Sequence, residues 1–232
     1  MNSRIILVFL GLVSALAVSV PARALDLASL SNKDTVAGLK EALVKGSQAA
    51  ISRLGVENGF MNDGRVKIPL PESLARAESL MRSVGMGKYA DELVLRMNRA
   101  AEAAVPEAKA LLVNSIKQMS VQDAKGILTG GEDAATQYFR RTTSEPMGQK
   151  FLPIVKKAME KVKLAEKYDE FAERGVRFGL VKAEDANLEK YITRRALDGL
   201  YLMIAEEEKK IRADPVGAAS SIISKVFGVL RK

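Results

Sequence analysis

Apolar side chains recur three and four residues apart along almost the whole chain, between breaks made by Gly, Pro, Asn and Asp. That spacing is the signature of helices with one buried face, and no segment of useful length alternates as a half-buried strand does. The pattern therefore predicts an all-α fold: a single multi-helix domain with short loops, spanning residues 25-232 behind a leader at 1-24.

The breaks set the element limits. Ser31 and Asp34 have capping-box spacing, and Val36, Leu39, Leu43, Ala50 and Leu54 follow on one helix, with Gly55 placed for a left-handed end. Residues 56–71, VENGFMNDGRVKIPLP, carry Asn-Gly and Asp-Gly turns. Pro69 and Pro71 favour an extended strap over a hairpin there. Helices are predicted from Glu72 to Val84 (closed by Gly85), from Lys88 to about Ala104, and from Pro106 to about Met119. Ser120 and Asp123 open a short helix ending at Thr129-Gly130-Gly131, and Glu132 to Arg141 forms the next, stopped by Thr-Thr-Ser. Pro146 starts a further helix, continued after a bend by Leu164 to Glu173, with Gly175 and Gly179 flanking a loop. Asn187 to Ala213 is the longest helix, and Val216 to Leu230 closes the chain.

The chain has no Cys, no His and no Trp among 232 residues. Disulfides, thiol nucleophiles, Cys-ligated metals and imidazole chemistry are thereby excluded, and catalysis would have to use carboxylates, Lys, Arg, Tyr or hydroxyls. Residues 1–24 have the three parts of a secretory signal: Arg4, an uncharged run from Ile5 to Val20, and Ala22-Arg23-Ala24 after Pro21. The run is short of the ~20 residues that span a bilayer, so cleavage after Ala24 and a periplasmic location are expected, with no transmembrane anchor afterwards. Loss of Arg4 and Arg23 leaves 34 basic against 28 acidic residues, a net of +6.

Five segments stand out: IPLP (68–71), MNRAAEAA (97–104), DAKGIL (123–128), GGEDAATQYFR (130–140) and ALDGLY…EEEKKIRADP (196–215). In this order they resemble the bacterial domain-of-unknown-function family 4197, over roughly Leu27 to Phe227. The resemblance implies a helical, exported protein and no particular activity. Many members look like lipoproteins; this chain has no lipobox Cys, so the resemblance implies a free form.

Those motifs supply the candidate site residues: Asn98, Glu102, Asp123, Asp133, Thr136, Tyr138, Arg140, Asp198, Glu207 and Arg212. Asn98 and Glu102 sit among alanines that permit close helix approach, which would draw Glu102 inward. A buried carboxylate must pair or hold its proton, and Arg99, Arg140 or Arg195 are the partners within reach of such a scheme. The Gly130-Gly131 nest could hold an anion, but Glu132 and Asp133 would repel it and suit an N-cap instead. Asp133, Thr136 or Gln137, and Arg140 share a helix side, with Tyr138 and Phe139 pointing inward. Glu206–Lys210 and Glu208–Arg212 have the spacing of surface helix pairs, although one acid of this run could turn inward toward Glu102. Glu102, Asp123, Asp133 and Glu207 could bind a hard cation only if the fold brought them together; no metal and no cofactor are expected.

Six lysines lie between Lys150 and Lys167 against Glu160 and Glu166. In an exported protein such a surface can meet lipopolysaccharide, anionic phospholipid or wall polymer, although a solvated helix face with excess Lys is the simpler reading, and nucleic acid is not an expected partner. The reading is an exported, non-enzymatic helical protein that binds an envelope component: protein, lipid or polymer. One alternative is a carboxylate-dependent cell-wall glycan hydrolase or lytic transglycosylase, which Ala77-Glu78-Ser79 faintly echoes. The other is an apolar-ligand carrier whose groove would be lined by Met97, Met119 and Met203.

Overall fold

A computed structural model describes residues 32–160 and 186–214, with isolated positions at 162, 165, 168, 176, 177 and 182. The expected leader at 1–24, Ser31 of the first expected capping box, most of the expected Leu164–Glu173 continuation and Gly175–Gly179 loop, and the expected closing helix at Val216–Leu230 lie outside the described residues. The fold is all-α: α1 (Asn32–Leu54), α2 (Ala75–Ser83, after a 3-10 turn Glu72–Leu74), α3 (Gly87–Ala104), α4 (Ala108–Gln118, after a 3-10 turn Val105–Glu107), α5 (Val121–Thr129), α6 (Ala134–Met159) and α7 (Leu188–Ala213). No strand occurs among the described residues.

Helices α3, α6 and α7 pack on one another as the central group, α1 covers α7 and α4, and α5 lies against α6 and α1. The predicted stripes supply the core: Leu39, Leu43 and Leu54 of α1, Leu93 and Met97 of α3, Leu112 of α4, Phe139 and Phe151 of α6, and Leu200 and Ile204 of α7 are all buried. Burying a Leu, Ile, Met or Phe side chain contributes about 1.5–3 kcal/mol, so this interior holds the bundle without covalent staples.

Two expectations are corrected. The Thr-Thr-Ser break does not exist, and α6 runs unbroken from Ala134 through Pro146 and Pro153 to Met159. Its hydroxyls explain part of this: Thr142, Thr143 and Ser144 donate to the carbonyls of Tyr138, Phe139 and Arg140 at 2.9, 2.6 and 2.6 Å, within the helix rather than against it. A proline inside a helix costs about 3 kcal/mol. Here it is outweighed by a helix whose Met147, Phe151, Val155 and Met159 are all buried. Second, Gly55 is not left-handed; Asn58 is, with φ 68°. Asn is among the few side chains that tolerate that backbone.

The strap expected to be extended over 56–71 is so only from Lys67 to Pro71; residues 55–66 fold into a series of turns before it. It lies against both α3 and α7. Phe60, Val66 and Ile68 are its buried anchors. Gly199 of α7 makes room for two of them: a Cβ there would stand 2.8 Å from Phe60 Cε1 and 3.2 Å from Val66 Cβ.

Candidate functional site

The strap has no strand partner, so its buried backbone groups need side chains. Asn98 of α3, fully buried, donates to Ile68 O and accepts from Ile68 N, both at 2.9 Å, and also donates to Val94 O at 2.7 Å. One turn later Glu102, also buried, accepts from Phe60 N at 3.0 Å and Met61 N at 3.3 Å through Oε1. Its Oε2 takes Arg99 at 2.5 Å. Arg99 in turn reaches Glu57 Oε1 at 3.0 Å and Asn58 Oδ1 at 2.9 Å. Of the three arginines expected as partners, Arg99 is the one that binds. Tyr191 of α7 completes the clamp by donating to Pro69 O at 3.1 Å.

The outer face of the strap is a charged shelf. Asp63 accepts from Arg65 and Arg53, and Arg65 also bonds Glu206 of α7. The Arg65 hydrogen bond holds the Asp63 carboxyl far below the usual carboxylate range. Arg53, Glu57, Asn58 and Arg65 help line a shallow depression of about 560 Å³.

A second buried carboxylate, which sequence spacing assigned to the surface, sits at the start of α6. Glu208 of α7 accepts from Ala135 N and Thr136 N, both at 2.9 Å, and from Thr136 Oγ1 at 2.9 Å. Arg212 binds its Oε1 through Nε at 3.1 Å and Nη2 at 2.8 Å, and donates to Ile127 O at the end of α5. Glu208 thus caps α6 from another helix, meeting amides that have no intrahelical acceptor and a favourable dipole. Asp133, the expected cap, makes no bond to the first-turn amides and instead accepts from Gln137 at 2.9 Å on the surface. The acid that turns inward therefore faces α6 rather than Glu102. Glu207 is only half-buried and pairs with Lys210 at 2.6 Å. The available signal was the Tyr201, Ile204, Glu208 spacing, which continues a buried stripe.

The other candidates brace helices. Asp123 and Ser120 form the predicted capping box, with Asp123 N donating to Ser120 Oγ at 3.0 Å and Ser120 N to Asp123 Oδ2 at 3.2 Å. The Ser120 hydroxyl, at 2.6 Å, is the main cause lowering the Asp123 pKa, with its amide and Arg141 helping. Tyr138 is buried and donates to Ser115 O at 2.8 Å. Arg140 does not meet Asp133; it pairs with Asp198 at 3.5 Å and lies 4.7 Å from the Tyr201 ring centroid.

The ten residues thus fall into separate neighbourhoods. Glu102 lies under the strap, Asp123 begins α5, Asp133 precedes α6, and Glu207 faces α1. No group of three or more acidic residues converges as a metal site among the described residues. Glu78 sits on α2, bonded to Arg82 at 2.8 and 3.0 Å. Met97, Met119 and Met203 are buried in the core rather than lining an open groove. No helix of the described residues is long and apolar enough to cross a membrane.

Neither a curated protein nor a solved structure matches the chain. A family model does match, over residues 29–228, and on that match the chain belongs to the DUF4197 family of proteins of unknown function.

Proposed function

We propose that this protein is exported to the periplasm and works there without catalysis, as a rigid helical module that binds a component of the cell envelope. The observation that carries this reading is the employment of its buried acids. Glu102 is held by two backbone amides and an arginine, and Glu208 by two backbone amides, the Thr136 hydroxyl and an arginine. Three of the four acceptor positions of Glu102 and all of those of Glu208 are thereby taken, so both carboxylates serve to hold structure together. The leader at 1–24 supplies the export half of the reading.

Fractionation of the producing cells, with an intact mass of the protein recovered, tests location: a periplasmic species lacking 24 residues is expected, and a full-length cytoplasmic one overturns export. Crosslinking in intact cells tests binding. Capture of a reproducible envelope component is expected, and a protein crosslinked only to itself overturns the binding half. Release of muropeptides from purified sacculi would overturn the non-catalytic part.

A further inference from the structure

Among the described residues, four of the eight exposed large apolar side chains, including the two most exposed, lie at one place, around the turn between α2 and α3. Leu80 is 65% exposed, Val84 61%, Met86 46% and Tyr89 47%. Gly85 turns the chain there with φ 76°, and a Cβ built on it would meet nothing within 4 Å, so the space beside the turn is open. Together these side chains expose roughly 400 Å² of apolar surface, about the largest patch an ordinary monomer carries. A stable dimer needs ~800 Å² per partner, about twice what these side chains expose.

The polar surroundings fit a different occupant. Lys88 lies 5.3 Å from the Tyr89 ring centroid. Lys67 of the strap is exposed and close enough to act electrostatically on Asp91, in the first turns of α3. Neither lysine has an ion-pair partner among the described residues, and Arg82 nearby is already held by Glu78 and Asp91. The chain as a whole carries +8, and +6 once residues 1–24 are removed. Apolar side chains on an exposed turn, a Tyr at their edge and lysines behind form the arrangement that seats in a bilayer surface: the apolar groups enter the acyl boundary and the cations stay with the headgroups.

We infer that the α2–α3 turn is a membrane-docking tip, which inserts Leu80, Val84 and Met86 into an anionic phospholipid surface while Lys67 and Lys88 contact its headgroups. This rests on the envelope reading above and names its ligand class. Attachment is peripheral and salt-sensitive, because two lysines attract the surface over little more than a Debye length.

The chain has no Trp, so one introduced Trp reports its own site. Met86→Trp and, as a control on α5, Val121→Trp are made in the full chain, purified in the form that cells accumulate. Both are mixed with vesicles of phosphatidylglycerol and phosphatidylethanolamine, with and without brominated chains. The Trp at 86 should shift to shorter wavelength and be quenched by bromine, and that at 121 should do neither. Vesicle co-sedimentation of the parent chain should fall at least tenfold with Leu80→Ser plus Val84→Ser. It should fall at least fivefold with Lys67→Glu plus Lys88→Glu, each checked as folded by circular dichroism. A silent Trp at 86, equal responses at both positions, equal binding to phosphatidylcholine, response to lipopolysaccharide alone, or a shift that follows protein concentration without vesicles overturns the docking tip. Fractionation decides the envelope reading separately, so a periplasmic protein that ignores these vesicles removes the tip and leaves that reading in place.

Discussion

Two buried carboxylates, 106 positions apart in sequence, use the same chemistry on different backbones. Glu102 and Glu208 each accept two consecutive amides and bind an arginine on their own helix, Arg99 three residues before and Arg212 four residues after. Glu208 meets the first turn of α6, where free amides and the helix dipole already favour an anion. Glu102 meets a strap with no ladder of its own, so it defines the structure there instead of finishing it. A helix end tolerates a poorer cap by fraying, whereas an irregular segment held by side chains either keeps its bonds or leaves the surface.

The largest effect should come from Glu208→Leu, because five donor contacts lose their acceptor and Arg212 is left in a largely buried place. Breaking a buried pair of this kind costs about 3–5 kcal/mol, read from urea unfolding. Glu102→Leu should cost less, about 1–3 kcal/mol, since Arg99 keeps Glu57 and Asn58 as acceptors and the loss falls on two amides. Amide exchange sharpens the contrast: Phe60 and Met61 should lose protection well beyond the global change in the second variant, and not in the first. Equal losses with identical exchange patterns would erase the distinction drawn between the two carboxylates.

Gly199→Ala tests the other hold on the strap. A methyl group 2.8 Å from Phe60 Cε1 must displace the ring, at a cost of about 1–3 kcal/mol, with raised exchange over residues 55–71. Unchanged stability would show that Phe60 can move aside freely.

The smallest effect belongs to the local cap. Ser120→Ala should cost about 0.5–2 kcal/mol by loss of the Asp123 amide's acceptor. It also removes the main cause of the lowered Asp123 pKa. The folded carboxyl lies below its ordinary 3.8, so its contribution is complete above that pH and disappears as pH falls through the folded value. In Ser120→Ala the Asp123 titration, followed by NMR, should move back toward 3.8 and the acid loss of stability should flatten. An unmoved titration would assign the lowering to the residue-120 amide and Arg141 instead.

That small term was the legible one. Ser120 and Asp123 are three residues apart, and their bond needs only the geometry of a single turn. Asn98 and Glu102 were singled out from alanine-rich surroundings, and both prove to be buried. What they hold, Ile68 and the Phe60–Met61 amides, lies 30 to 42 residues away and was not readable. On α7 the choice between Glu207 and Glu208 is a rotation of about 100° on a helix that α1, α3 and α6 cover on several sides. The pair spacing placed Glu208 on the surface with one acid of the run free to turn inward, and only the position of the α6 amides selects Glu208.

By itself the sequence determined the helical class, most helix limits, the extended stretch that carries Pro69 and Pro71, and a chemistry without thiols or imidazoles. Those follow from interactions within a turn or two, or from which atoms are present at all. The tertiary structure decided that α6 passes through two prolines, that Asn58 takes the left-handed turn, and that Glu208 rather than Asp133 caps α6. Each is a local preference overruled by burial and hydrogen bonds to distant segments, whose free energy exceeds the local cost.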